Sequence, residues 1–101
     1  MEEFPFTEKQ IGKFLYLREF DHNVDSEELV WHQDREDREI KVLKSSGWLL
    51  QLDNQIPVFL EEGKTYHVEA YVWHRLIKGK QNLLLEIKKN GLLLLIIKKC
   101  F

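Results

Sequence analysis

One cysteine, Cys100, is all the chain has, so no intramolecular disulfide can form and the fold needs no oxidising compartment; cytoplasm is the expected location. Charge of one sign is also missing. The 15 Lys and Arg against 17 Asp and Glu leave a formal charge of −2, which supplies no electrostatic reason to bind nucleic acid or an anionic membrane. The amino terminus, MEEFPFTEKQ, has neither the basic region nor the apolar run of a signal peptide. The apolar run 92–97 falls far short of the roughly 20 residues that span a bilayer, so a soluble chain is expected. No segment keeps a helical period through several turns. No glycine-rich phosphate loop, Cys-x-x-Cys pair or nucleophile elbow occurs.

What the chain does have is turn punctuation. Turn signals recur every eight to twelve residues or about that, the spacing of an all-β sandwich or barrel. At 101 residues the chain has room for one domain, 1–101, with residues 1–10 as an extended arm because Pro5 restricts its neighbourhood. Strands are expected at 11–20, 29–34, 39–44, 48–53, 58–60, 64–68, 73–78, 83–88 and 92–98. The tract DHNVDSEE between the first two reads as a loop, although Asp25 can also cap one short helical turn. Asn90-Gly91 between two apolar runs is a strong hairpin signal. The last run is apolar on both faces, so its other face should be buried against another subunit or against the amino-terminal arm, and a homodimer is expected. The pairs Lys88-Lys89 and Lys98-Lys99 read as gatekeepers against edge aggregation.

Chemistry concentrates in a repeated dipeptide. Trp31-His32 lies in LVWHQDREDR and Trp73-His74 in GKTYHVEAYVWHRLIKG. Strand neighbours point to opposite faces, so if the tryptophans lie outside, the two histidines converge inside a barrel. Trp31, Trp48 and Trp73 read as packing residues. Inward phasing of Arg38, Ile40 and Val42 carries a guanidinium into the same interior; the alternative phase points Glu39 inward and buries Lys41.

The run 29–87 resembles the cupin superfamily, small RmlC-like barrels whose motifs are H-x-H-x(3,4)-E and G-D-x(4)-P-x-G-x(2)-H-x(3)-N. Gly63 matches the first glycine of the second motif and His74 its metal-binding histidine. Glu69, Tyr71 and Lys78 stand at the proline, the second glycine and the asparagine. In the first motif His32 matches the first histidine, Asp34 replaces the second, and Arg38 stands where the glutamate belongs. The stretch 31–38 is also similar to the W-H-x-D-x(2)-D-R core of short uncharacterised phage and bacterial cupins. The resemblance implies an antiparallel double-stranded β-helix, or jelly roll.

The resemblance further implies a metal site. His32, Asp34 and His74 survive as ligands, a two-histidine, one-carboxylate set for a divalent transition metal such as Fe, Mn, Ni or Zn. Two functions remain open. One is a metal-dependent enzyme of dioxygenase or isomerase type. The other is a metal-free module in which Arg38, His32, His74 and Gln51 bind a small molecule, an anion or a sugar. Each candidate also has a structural reading: Asp34 and Arg38 as a salt bridge closing the rim, the histidines as internally satisfied side chains, and Gln51 as a solvated residue. His22 and His67 have no partner at ligand spacing.

Overall fold

The protein is described here from a computed structural model, which describes residues 4–90. The expected Asn90-Gly91 hairpin, the strand 92–98, Lys98-Lys99, Cys100 and the subunit contact lie on or extend into positions outside those residues. Among the described residues eight strands form two antiparallel sheets. They are β1 (Phe6–Gly12), β2 (Leu15–Phe20), β3 (Arg38–Lys44), β4 (Leu49–Leu52), β5 (Val58–Phe59), β6 (Thr65–Val68), β7 (His74–Ile77) and β8 (Leu83–Lys89). The larger sheet runs β1-β2-β8-β3-β6 and the smaller one β5-β4-β7. Among the described residues no helix is long and apolar enough to cross a membrane.

Three expectations change. The arm 1–10 is not merely extended: its second half belongs to β1, which pairs with β2 through a bend at Phe14, φ 60°. A single strand 11–20 thus becomes the two sides of a hairpin. The tract after Phe20 takes the alternative reading, because Asp25 accepts a hydrogen bond from the Glu27 amide and caps a 3-10 turn at Ser26–Glu28. The run 29–34 is not a strand; only His32 pairs, in an isolated bridge to His74. The strand β3 starts only at Arg38, where the alternation of Arg38, Ile40 and Val42 begins.

That alternation sets the core. Val42, Val68, Leu83, Leu85 and Ile87 are buried between the sheets, while Glu39 and Lys41 face solvent, so the Arg38 phase holds and the Glu39 phase does not. Trp48 is completely buried and stacks on Phe20 at 5.8 Å, which in turn meets Phe6 at 5.3 Å. Its indole Nε1 donates to the Gln81 carbonyl at 2.6 Å, satisfying the one polar atom it buries. Trp31 and Trp73 instead lie at the surface. They are not core residues, and the outward tryptophans are what turn the adjacent histidines inward.

Candidate metal centre

The two histidines are brought together by backbone. His32 N–H donates to the His74 carbonyl at 3.0 Å and His74 N–H to the His32 carbonyl at 2.9 Å, a directly opposed antiparallel pair. Opposed residues share a face, so the rings stand 4.2 Å apart, centroid to centroid. Asp34 is placed by the bend between β6 and β7. Tyr71 N–H donates to the Asp34 carbonyl at 2.7 Å, and Ala70 N–H to the Asp37 carboxylate at 2.8 Å. The bend itself puts Tyr71 at φ 64°, which is the position held by the second glycine of the cupin motif.

One ligand atom from each of His32, Asp34 and His74 lies within 4.8 Å of the others. Both rings are held through Nδ1. His32 Nδ1 meets the Val30 carbonyl at 3.0 Å and His74 Nδ1 the Val72 carbonyl at 2.8 Å. A carbonyl only accepts, so each Nδ1 carries the proton and each neutral ring presents the lone pair of Nε2. Asp34 Oδ2 lies 3.3 Å from His74 Nε2 yet makes no hydrogen bond and is shielded from water. With the His74 ring neutral, two lone pairs face each other in a buried place, an arrangement relieved by a proton on Nε2, which makes an ion pair, or by a metal cation between them.

Electrostatics favour the ligating forms. Burial pulls the His32 imidazole below its ordinary value, helped by His74 and Arg38 and opposed by the Val30 carbonyl and Asp34. His32 keeps a solvent-facing edge, so this desolvation is partial, whereas His74 is buried. Burial pushes the Asp34 carboxyl upward, but His74, Arg38 and His32 together outweigh it and hold it below the usual carboxylate range.

Arg38 does enter the interior, and the salt bridge to Asp34 forms, Nη2 to Oδ1 at 3.3 Å. Its Nε and Nη2 also donate to Glu36 Oε1 at 2.9 and 2.7 Å. The guanidinium is thus neutralised and turned toward Oδ1, leaving Oδ2 for the histidines. Structural salt bridge and ligand are the two ends of one carboxylate. Gln51 plays no part: it accepts from Arg75 Nε at 2.8 Å and donates to the Gln55 carbonyl, and it does not line the cavity.

The cluster opens into a cavity of about 730 Å³ between the sheets. Its walls are apolar, with Phe20, Leu50, Leu76, Leu85 and Ile87, and its lining also includes Glu8, Arg18 and Lys89. Those three charged residues escape a reading by motif. The available signal was phase, since Arg18 alternates with Phe20 as Arg38 does with Ile40. Lys89 is no gatekeeper here; it lines the cavity, with Nζ 3.6 Å from Glu8 Oε1 and 4.1 Å from the Tyr16 ring. His22 bonds Asn82 and takes no part in the cluster.

No family profile matches the chain, and no curated protein matches it significantly. Solved structures do. An RmlC-like cupin with a double-stranded β-helix fold from Methanocaldococcus jannaschii superimposes with a TM-score of 0.61 at 12% identity, over 85% of this chain and 80% of that one. A structure described with DMSP lyases gives 0.63 at 21% identity over 77% of this chain. The Fe(II) form of HppE gives 0.58 at 15% over 74%. The chain spans 39% and 41% of the lengths of those last two chains. At such identities the likeness is one of fold.

Proposed function

We propose that this chain, whose fold is that of the RmlC-like cupins, holds a divalent transition metal on His32, Asp34 and His74 and binds a small molecule beside it. The observation that carries this reading is the buried Asp34 Oδ2, without a hydrogen-bond donor and facing an Nε2 lone pair. Two imidazoles and one carboxylate suit Fe(II) and its neighbours and leave coordination positions open. A metal so bound supplies a Lewis acid that polarises an oxygen of the ligand, and in the case of iron a place for dioxygen.

The chain's own residues do the rest. The Val30 and Val72 carbonyls fix both ring tautomers, an outer-shell arrangement typical of ligating histidines. Arg38 orients the carboxylate through Oδ1 while Glu36 offsets its charge. The apolar walls exclude water from around the cluster, and the exposed edge of His32 marks the side from which a ligand enters. The metal-free anion module that relied on Arg38 loses support, because that guanidinium already has Asp34 and Glu36.

Elemental analysis of untagged protein tests the proposal. Near-stoichiometric transition metal is expected, with none in His74→Ala. Protein that is metal-free as purified and takes up neither Fe(II) nor Zn(II) on dialysis overturns it.

A further inference from the structure

A second charged group on the cavity wall sets two cations, Arg18 and Lys89, against the one carboxylate of Glu8. Arg18 is 92% buried at 8% exposure, and it stands directly opposite Glu8 in the β1–β2 pairing. Its Nε and Nη2 both converge on one oxygen, Glu8 Oε2, at 2.6 and 2.5 Å. The second Glu8 oxygen is 3.6 Å from Lys89 Nζ. One carboxylate therefore serves two cations, and the three side chains together leave one positive charge on a cavity wall.

The sheet register adds to this. Lys89 is directly opposite Arg38 in the β3–β8 pairing, and whereas Arg38 is met by both Asp34 and Glu36, the carboxylate beside Lys89 is that of Glu8, already shared with Arg18. Burial draws the Arg18 guanidinium below its ordinary value against the opposing pull of Glu8, so the carboxylate undercompensates the cost of burying it. Phe6 covers one face of the guanidinium, 3.8 Å from ring centroid to Cζ, and holds its plane.

We propose that the cavity's ligand is an amphipathic monocarboxylate whose head group is taken by Arg18 and Lys89 and whose apolar body lies along Leu50, Leu76 and Leu85 toward the metal cluster. The single unmatched charge suits a carboxylate better than a phosphate dianion. The long apolar wall suits an alkyl or aryl body better than a sugar. Glu8 is then the internal competitor for the same two cations. The inference deepens the proposed function by naming the ligand class of the same cavity, and its cation pair is built independently of the metal.

The test is calorimetric titration of the full chain, first stripped of metal with EDTA and then reloaded with Zn(II), using hexanoate, hexanol and inorganic phosphate. Hexanoate is expected to bind the stripped protein, and hexanol and phosphate are not. Lys89→Gln should weaken hexanoate by about tenfold, the usual worth of one charge-assisted hydrogen bond. Glu8→Gln should bind it more tightly, an opposite sign that a purely structural Glu8–Arg18 pair does not produce. Arg18→Lys, which retains charge and fold, should bind it more weakly than wild type. Hexanol or phosphate binding as well as hexanoate overturns the inference, as does a Glu8→Gln protein with unchanged or weaker binding. Hexanoate that binds only after Zn(II) loading, and equally well in Lys89→Gln, places the carboxylate on the metal; this sinks the inference and spares the metal reading. Hexanoate binding by stripped protein that never takes up Zn(II) does the reverse.

Discussion

His32 and His74 exchange both backbone hydrogen bonds, at 3.0 and 2.9 Å, in an isolated bridge where the rest of 29–34 is unpaired. The bridge binds the loop to β7 at the one place where pairing puts two imidazoles on the same face. It also explains why the loop carries Asp34 to the site without being a strand: the chain turns away after His32, and the Tyr71 amide catches the Asp34 carbonyl.

Asp34→Asn is expected to cost both stability and metal binding. The ionised carboxylate is held below its usual range and pairs with Arg38 through Oδ1, so the metal-free variant should lose about 1 kcal/mol in denaturant unfolding. Its metal affinity should fall at least tenfold or so, since a neutral amide is a poorer ligand than a carboxylate. A metal-free variant as stable as wild type contradicts the stabilising role of the charged Asp34.

Acid should act on the metal-free protein in two windows. His32 has a lowered folded-state pKa, so below about 6.5 the unfolded chain takes up a proton that the folded one refuses, and stability falls as pH drops. Asp34 is also lowered; its contribution is complete above about 4 and is lost as pH falls through the folded value. Arg38→Met removes one of the charges holding Asp34 down, so the second loss should be smaller and be complete at a higher pH. Thermal melts between pH 3 and pH 8 or so, on wild type and variant, check both signs.

Tyr71 occupies the left-handed region at φ 64° in the bend that positions Asp34. Non-glycine residues pay about 1–2 kcal/mol there, and glycine returns part of this as unfolded-state entropy. Tyr71→Gly should therefore raise stability by up to about 1 kcal/mol with metal content unchanged. A drop in melting temperature would show that the exposed ring contributes packing that outweighs the strain.

Gly79 has the opposite character. A Cβ there would collide with the Ser46 carbonyl and with the backbone nitrogen and ring of Trp48. Backbone cannot step aside as a side chain does, so Gly79→Ala should cost about 1–3 kcal/mol. Urea unfolding followed by tryptophan fluorescence measures it, and a loss under about 0.5 kcal/mol would contradict the close approach.

Local pattern determined a great deal. Alternation in 39–44, 48–53 and 83–88 defined strands whose apolar faces are those buried in the structure, and the repeated Trp-His dipeptide announced two inward histidines. These properties are legible because a strand's facing depends only on its own period of two. Other features depend on what lies across the sheet. Whether Asp34 serves Arg38 or the histidines was decided by a carboxylate with two oxygens pointing to two neighbours. Gln51 follows Leu50 in β4 and so faces away from the cavity, and what it meets there, Arg75 on the adjacent strand β7, is set by the sheet order. Glu8, Arg18 and Lys89 meet only because β1 folds back on β2 and β8 lies beside β2, joining positions far apart along the chain. Sequence period sets which way a side chain points, but the order of strands sets what it points at, and a binding site is made of the second.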